Sequence, residues 1–236
     1  MISAMLEPLS EPALADATFA KFVGERLWLD FVNSDRALRP DRLLRVRNHG
    51  TNGNAIGSSD ALDSFDGYLA WLRAARMLDA ERADAMLKRA RQQPTGASAA
   101  LHEARRLRNV LRALAERGFV NGVRAEEVAI SEINRILGRS AGSRRIEARS
   151  DGGFVRNFVT VGDVFAGLLV PVIESAADAL VQDDLRRVHR CASQRCGRVF
   201  FDASRNGRRR WCEMATCGNR AKAARHRQKV KVELHR

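Results

Sequence analysis

Between residues 62 and 137 apolar side chains recur every three or four positions, which is the spacing of helices that each bury one face. Leu62, Phe65, Leu69 and Leu72, with Trp71 adding bulk, predict a helix over Leu62–Met77. Ala80–Gln92 consists largely of strong helix formers, and Pro94 is expected to end it. Leu101, Ala104, Leu107, Leu111 and Leu114 predict a helix over Ala97–Arg117 with Gly118 as its stop. Val128, Ile130, Ile133 and Ile136 predict another over Glu126–Leu137, closed by Gly138.

The flanking stretches carry weaker patterns. Residues 1–20 have no periodicity and read as a loosely held leader. Phe22–Ser34 alternates with Leu27, Leu29 and Phe31 on one side, which suits a strand and equally a short buried helix. Residues 35–60 turn Arg-rich and then Gly/Asn/Ser-rich, the composition of a surface loop; His49 within it has no partner that would suggest a metal. Alternation on both sides of Ser150-Asp-Gly-Gly153 predicts a β-hairpin over Arg144–Thr160. Gly162–Val181 is apolar almost all round, so it is expected to be a buried central helix kinked at Pro171. Two short strands, Arg187–Arg190 and Arg198–Asp202, and a basic helix from Cys217 complete the chain. The fold class expected is mainly α with a small β-hairpin: a helical N-terminal domain followed by a small four-cysteine unit.

The cysteines change the picture most. There are four in 236 residues, arranged as Cys191-x4-Cys196 and Cys212-x4-Cys217 with fifteen residues between the pairs. Two short-spaced pairs of thiolates, returned to each other by an intervening segment, are the sequence form of a tetrahedral zinc site. Buried reduced thiols are the alternative, but these four sit among Ser, Gln, Arg, Gly and Thr rather than on an apolar face. A disulfide framework fits poorly, because the first twenty residues lack a basic start and apolar core, and the longest apolar run, Val164–Ile173, is about half a membrane span. The expectation is a soluble, cytoplasmic protein with one zinc ion per chain and no membrane contact. Hairpin, knuckle and helix around such a site resemble a treble clef.

The net charge of +13 is not spread evenly: residues 186–236 hold sixteen of the 41 Lys/Arg against three acids, while residues 1–185 are formally neutral. That divides the chain into a neutral globular domain at 21–185 and a basic module at 186–236 suited to a polyanion, nucleic acid first, with duplex DNA over RNA a further step. Within the module Arg205, Arg208, Arg209 and Arg210 form a candidate phosphate clamp. On the last helix Lys222, Arg225 and Lys229 share one face, and Arg220, Arg227 and Lys231 share the opposite one. Asn219 or Arg225 is placed to meet base edges. In the first domain Arg105, Arg106, Arg108 and Arg112 read most simply as a solvated face. Asp30, Asn33 and Arg108 are the candidates for a ligand pocket, against the plainer reading that Asp30 and Asn33 satisfy nearby backbone groups. No phosphate-cradling loop, dinucleotide fingerprint or nucleophile–base pattern is recognisable, so an enzyme is not expected.

Cys191-x4-Cys196, Phe200-Phe-Asp, Ser204-Arg-Asn, Arg210-Trp-Cys212 and Cys217-Gly-Asn-Arg220 resemble the CGNR-type zinc finger. Gly24 with Leu29-Asp-Phe-Val-Asn33 is similar to the start of the ABATE domain that precedes this finger in a family of proposed stress-induced bacterial transcription regulators. Ser34 stands where threonine is expected, and 48–59 looks like an insertion. The resemblance implies that the four cysteines bind zinc, that Cys217–Arg220 opens a DNA-contacting helix, and that the upstream domain senses a small-molecule effector or mediates a homodimer. The competing readings are an RNA-binding protein, and an N-terminal enzyme or ligand-binding domain tethered by a structural finger.

Overall fold

A short helix, α1 (Leu27–Val32), sits where the two parts of the chain meet, and its composition explains why. Trp28, Leu29, Phe31 and Val32 are all buried, so the segment is apolar on nearly every side. A strand alternating in and out does not bury four such neighbours; a helix packed from several directions does. The alternation of Phe22–Ser34 therefore resolves as α1 followed by a 3-10 turn, Asn33–Arg36, and not as a strand. The computed structural model describes residues 22–36, 60–148, 153–194 and 196–233. The leader at 1–20, the loop at 48–59 with His49, and the turn at 149–152 lie outside the described residues.

Around α1 stand α2 (Phe65–Ala74), α3 (Ala80–Gln92), α4 (Pro94–Ala115), α5 (Ala125–Arg139) and α6 (Val170–Gln182). Helices α4 and α6 pack directly on α1. Ser64 caps α2 by accepting from the Gly67 amide at 3.0 Å, and Asp79 caps α3 by accepting from the Arg82 amide at 2.8 Å. Helix α3 ends at Gln92, just before Pro94, as expected, and Pro94 also opens α4; Pro171 plays a different part from the one expected. Each proline lies at the first turn of its helix, α4 or α6, where a missing N–H costs nothing, so Pro171 starts a helix instead of kinking it. Gly138 is no stop either, since α5 runs through it to Arg139. At the end of α4 the left-handed residue is Arg117 (φ 51°), and the Gly118 amide donates back to the Ala113 carbonyl at 3.0 Å.

Among the described residues there are three two-stranded antiparallel sheets: β1–β2 (Phe119–Val120 and Val123–Arg124), β3–β4 (Gly142–Ala148 and Phe154–Thr160) and β5–β6 (Val188–Arg190 and Val199–Phe201). The first was not anticipated. Its turn is Asn121-Gly122, both at positive φ (50° and 82°), the dipeptide and backbone that a two-residue hairpin requires. The second pairs from Gly142↔Thr160 to Ala148↔Phe154, as the alternation predicted. The last helix, α7 (Asn219–Glu233), follows a π-helical turn, Met214–Gly218.

The arginines of α4 are not a solvated face. Arg108 is only 8% exposed and donates from its two terminal nitrogens to the Asp60 carboxylate at 2.5 and 2.7 Å, and to Ser34 Oγ at 3.1 Å. Arg112 donates to the Val32 carbonyl at 2.6 Å and pairs with Asp35 at 2.7 Å, and Arg105 donates to the Leu62 and Asp63 carbonyls at 2.7 and 2.9 Å. Three side chains of one helix thus hold the chain at both borders of 37–59. Arg106 alone stays largely exposed, reaching Glu132 on α5. Arg108 is the side chain whose loss leaves a part-buried carboxylate without its main counter-ion.

Replacing Arg108 with Ala is expected to lower unfolding free energy by about 3 kcal/mol or more, whereas Arg106→Ala costs about 1 kcal/mol or less. Urea denaturation of the two variants measures the difference. Burial works against ionised Asp60, but hydrogen bonds from Arg108 and the Leu62 amide outweigh it and hold the carboxyl below its ordinary value. The stability it contributes is therefore present above the ordinary Asp value and lost as pH falls through the lowered one. Arg108→Ala should flatten that acid limb of the denaturation midpoint.

Candidate metal centre and nucleic-acid interface

The pairing of β5 with β6 sets Val188 opposite Phe201, His189 opposite Phe200, and Arg190 opposite Val199. Because side chains alternate across a strand, the hairpin divides its apolar residues between two cores. Val188, Val199 and Phe201 join the main core with α1, while Phe200 packs with Val23 against Cys191, Cys212 and Cys217. The backbone is joined as well. Asn33 donates from Nδ2 to the Val199 carbonyl at 2.8 Å and accepts from the Val199 amide at 2.9 Å, so one side-chain amide takes the place of a neighbouring strand. The Phe201 amide donates to the Gly24 carbonyl at 3.0 Å. Gly24 has to be small here: a Cβ would lie 2.8 Å from the Asp30 amide nitrogen and from Leu29 Cβ. Arg26 completes the seam, with its guanidinium on Asp183 at 2.7 and 2.8 Å and 4.3 Å from the centre of the Phe201 ring.

The hairpin delivers the first cysteine pair. The Cys191 amide donates to the Arg198 carbonyl at 2.8 Å, and the Cys196 amide donates to the Ser193 carbonyl at 2.9 Å, closing the knuckle. The Ala192 amide bonds the Arg210 carbonyl at 2.9 Å, bringing the returning chain and Cys212 alongside. The π-helical turn carries Cys217, braced by the Gly218 amide on the Glu213 carbonyl at 3.1 Å. All four sulfur atoms lie within 4.8 Å of one another, with Cys196–Cys212 at 3.6 Å and Cys212–Cys217 at 3.8 Å. Four sulfurs at the vertices of a tetrahedron with Zn–S of about 2.3 Å are about 3.8 Å apart. The donor set and its spacing fit one zinc ion.

The electrostatics agree. Hydrogen bonds from the Cys196 and Cys212 thiols favour the ionised form of Cys191. Burial pushes Cys217 up to about 11, and Cys212, hydrogen-bonded within the same group, is raised further. Four thiols this close share little negative charge by themselves; a divalent cation is what allows all four to ionise.

Asp202, the acid of the Phe200-Phe-Asp motif, organises the loop after β6. It is fully buried, accepting from the Ser204 amide through one oxygen at 2.9 Å and from the Arg209 amide through the other at 2.8 Å. Arg209, a candidate for the phosphate clamp, is engaged within the protein. Its guanidinium donates to the Trp211 carbonyl at 3.0 Å and to the Cys212 carbonyl, pairs with Glu25, and lies 4.6 Å from the centre of the Phe200 ring. It ties the finger to the segment before α1. Arg205, Arg208 and Arg210 are exposed, with Arg210 stacked over Trp211 at 5.5 Å.

On α7, Asn219, Arg220, Lys222, Arg225, Arg227 and Lys229 are exposed, and Asn219 donates to the Ala215 carbonyl at 3.2 Å. From Lys222 to Val230 every residue is exposed, so this stretch has no packed side. Asp30, Asn33 and Arg108 each make hydrogen bonds within the fold. Asn33 binds β6 and Arg108 binds Asp60, while Asp30 accepts from the Gly24 amide at 2.7 Å and is pushed up to about 6 by burial.

Residues 25–183 match the model of the ABATE family, described as a "putative stress-induced transcription regulator", and residues 187–230 match the CGNR zinc finger. No curated protein matches the chain. None of the described helices is long and apolar enough to cross a membrane.

Elemental analysis of the purified chain should give one zinc ion per molecule, and Cys212→Ser should abolish it. Structural zinc contributes about 10–16 kcal/mol of apparent binding energy at neutral pH, and binding releases thiol protons, so the metal is lost as pH falls. Because Val188, Val199 and Phe201 are part of the main core, chelation should lower the calorimetric melting temperature of the whole chain, not only of the last helix.

Proposed function

The chain belongs to the ABATE family, and from that premise we propose that it is a transcription regulator that binds duplex DNA through α7 and the arginine loop before it. The observation that carries this reading is the helix itself. Isolated helices of this length are marginal in water, and a helix that is polar all round receives no help from a core. The zinc knuckle anchors the start of α7, and its remaining length presents cations to whatever lies beside it. A duplex supplies the matching charge along both walls of a groove.

The helix is about 22 Å long by its rise of 1.5 Å per residue. Ala221, Ala223 and Ala224 keep its first turns narrow enough for a major groove about 12 Å wide. With Lys222, Arg225 and Lys229 turned to the groove floor, Arg220 and Arg227 lie toward the opposite side. Arg205, Arg208 and Arg210 then reach phosphates, where a guanidinium pairs in bidentate fashion. Arg209 contributes indirectly, by fixing the loop. The N-terminal domain supplies regulation through an effector, a homodimer contact or both, in the cytoplasm and without catalysis of its own.

Zinc-loaded protein should bind duplex DNA with a log–log salt slope near −0.9 per phosphate neutralised. The double variant Arg208→Ala, Arg210→Ala should reduce that slope by about 2 at unchanged melting temperature, and a chain ending at Ala221 should lose most of the affinity. Lys222–Val230, which that truncation removes, are all exposed, whereas deletion from residue 186 would strip side chains from the main core. Fluorescence anisotropy at several salt concentrations makes the measurement. Structured RNA outcompeting duplex DNA at equal salt would overturn the DNA reading.

A further inference from the structure

A cavity of about 220 Å³ opens in the N-terminal domain where the α2–α3 corner, β4 and the start of α6 meet. Its wall is mixed but more apolar than polar, with Leu72, Met77, Met86, Phe158 and Leu168 among its apolar side chains. Among the described residues that line it, Arg82 is the one ionisable side chain. Its guanidinium reaches Glu147 Oε2 at 3.4 Å, a long contact for a charged pair, and is about a third exposed. Asp30, Asn33 and Arg108 lie outside this cavity.

A cavity with a mainly apolar wall and one cation at its edge selects an amphiphile of opposite charge. An engineered apolar cavity of about 150 Å³ takes benzene, so by proportion this one takes about nine non-hydrogen atoms. The side chains indicate the shape. Met77 and Met86 offer polarisable sulfur, and Phe158 offers an aromatic ring, all of which suit a flat aromatic body. A carboxylate at one end would meet Arg82 in bidentate fashion and replace the long contact to Glu147. Thr160 also lines the cavity.

We propose that this cavity is the binding site of a small aromatic monocarboxylate, with Arg82 holding the carboxylate and the Met77–Met86–Phe158 wall enclosing the ring. The site rests on the cavity's chemistry and not on DNA binding, so either reading can fail without the other.

Benzoate, which has the required size, is the probe, and benzyl alcohol is its neutral counterpart. Titration calorimetry and ligand-observed NMR on the zinc-loaded full chain should give benzoate a Kd of roughly 1 mM or tighter. Benzyl alcohol should bind at least about tenfold more weakly. Arg82→Gln should bring benzoate to the level of benzyl alcohol, and Met86→Trp, which fills the cavity, should abolish binding of both. The proposal is overturned if benzoate does not bind at about 10 mM, well above the expected Kd. It is equally overturned if benzyl alcohol binds as tightly, if Arg82→Gln leaves benzoate affinity unchanged, or if Met86→Trp still binds. Should either variant lose its cooperative melting transition, the comparison of the two ligands on the unaltered chain decides alone.

Discussion

The structure depends on α1 being packed from both sides. Helices α4 and α6 cover it on one side, and β6 lies along its other end through Asn33 and the Gly24 carbonyl. The four buried side chains of α1 each contribute about 1.5–3 kcal/mol by leaving water, and that gain requires the hairpin as well as the helices. The zinc finger and the N-terminal domain therefore do not behave as separate beads. Metal bound by four thiolates fixes β5–β6, the hairpin supports α1, and α1 supports the main core.

The same seam bears on regulation. The Trp28 amide donates to Ser175 Oγ on α6 at 3.3 Å, and Arg26 pairs with Asp183 just beyond the end of α6. The cavity edged by Arg82 shares its wall with the start of α6, so one helix connects that cavity to the element on which the finger rests. A displacement of α6 has a direct mechanical route to β6. Coupling in the thermodynamic sense requires a ligand that prefers one arrangement of that seam over another.

Arginine is used in three ways in this chain, and burial separates them. Arg105, Arg108 and Arg112 hold backbone and carboxylates around 37–59. Arg26 and Arg209 lie over Phe201 and Phe200 and join the finger to the segment before α1. Arg205, Arg208 and Arg210 stay exposed, available to an outside anion. A guanidinium serves all three because it pairs in a plane, stacks on aromatic rings and stays charged when partly buried.

The zinc ligands were legible in the sequence because metal chemistry is local: two short loops each present a pair of thiolates, and the spacing alone states it. The helices α2 to α6 and the hairpin β3–β4 were legible because the apolar period is itself the record of a buried face. The charge split at residue 186 was legible for the same reason, since charge adds up along a chain whatever its fold. Even β1–β2 had its signal, Asn121-Gly122, which went unread between two stronger helices. What the sequence left open depends on partners far away along the chain. Residues 22–34 carry the same apolar pattern whether they form a strand or a helix, and only packing against α4, α6 and β6 decides it. Arg108 and Arg209 look like their exposed neighbours until Asp60 and Glu25 are placed beside them. Pro171 reads as a kink until the helix is seen to begin there. The division at 185/186 is real in charge, yet Asn33 and Val199, 166 positions apart, are hydrogen-bonded across it. Period, spacing and charge are properties of neighbours in sequence; whether a polar side chain is spent or available is a property of neighbours in space.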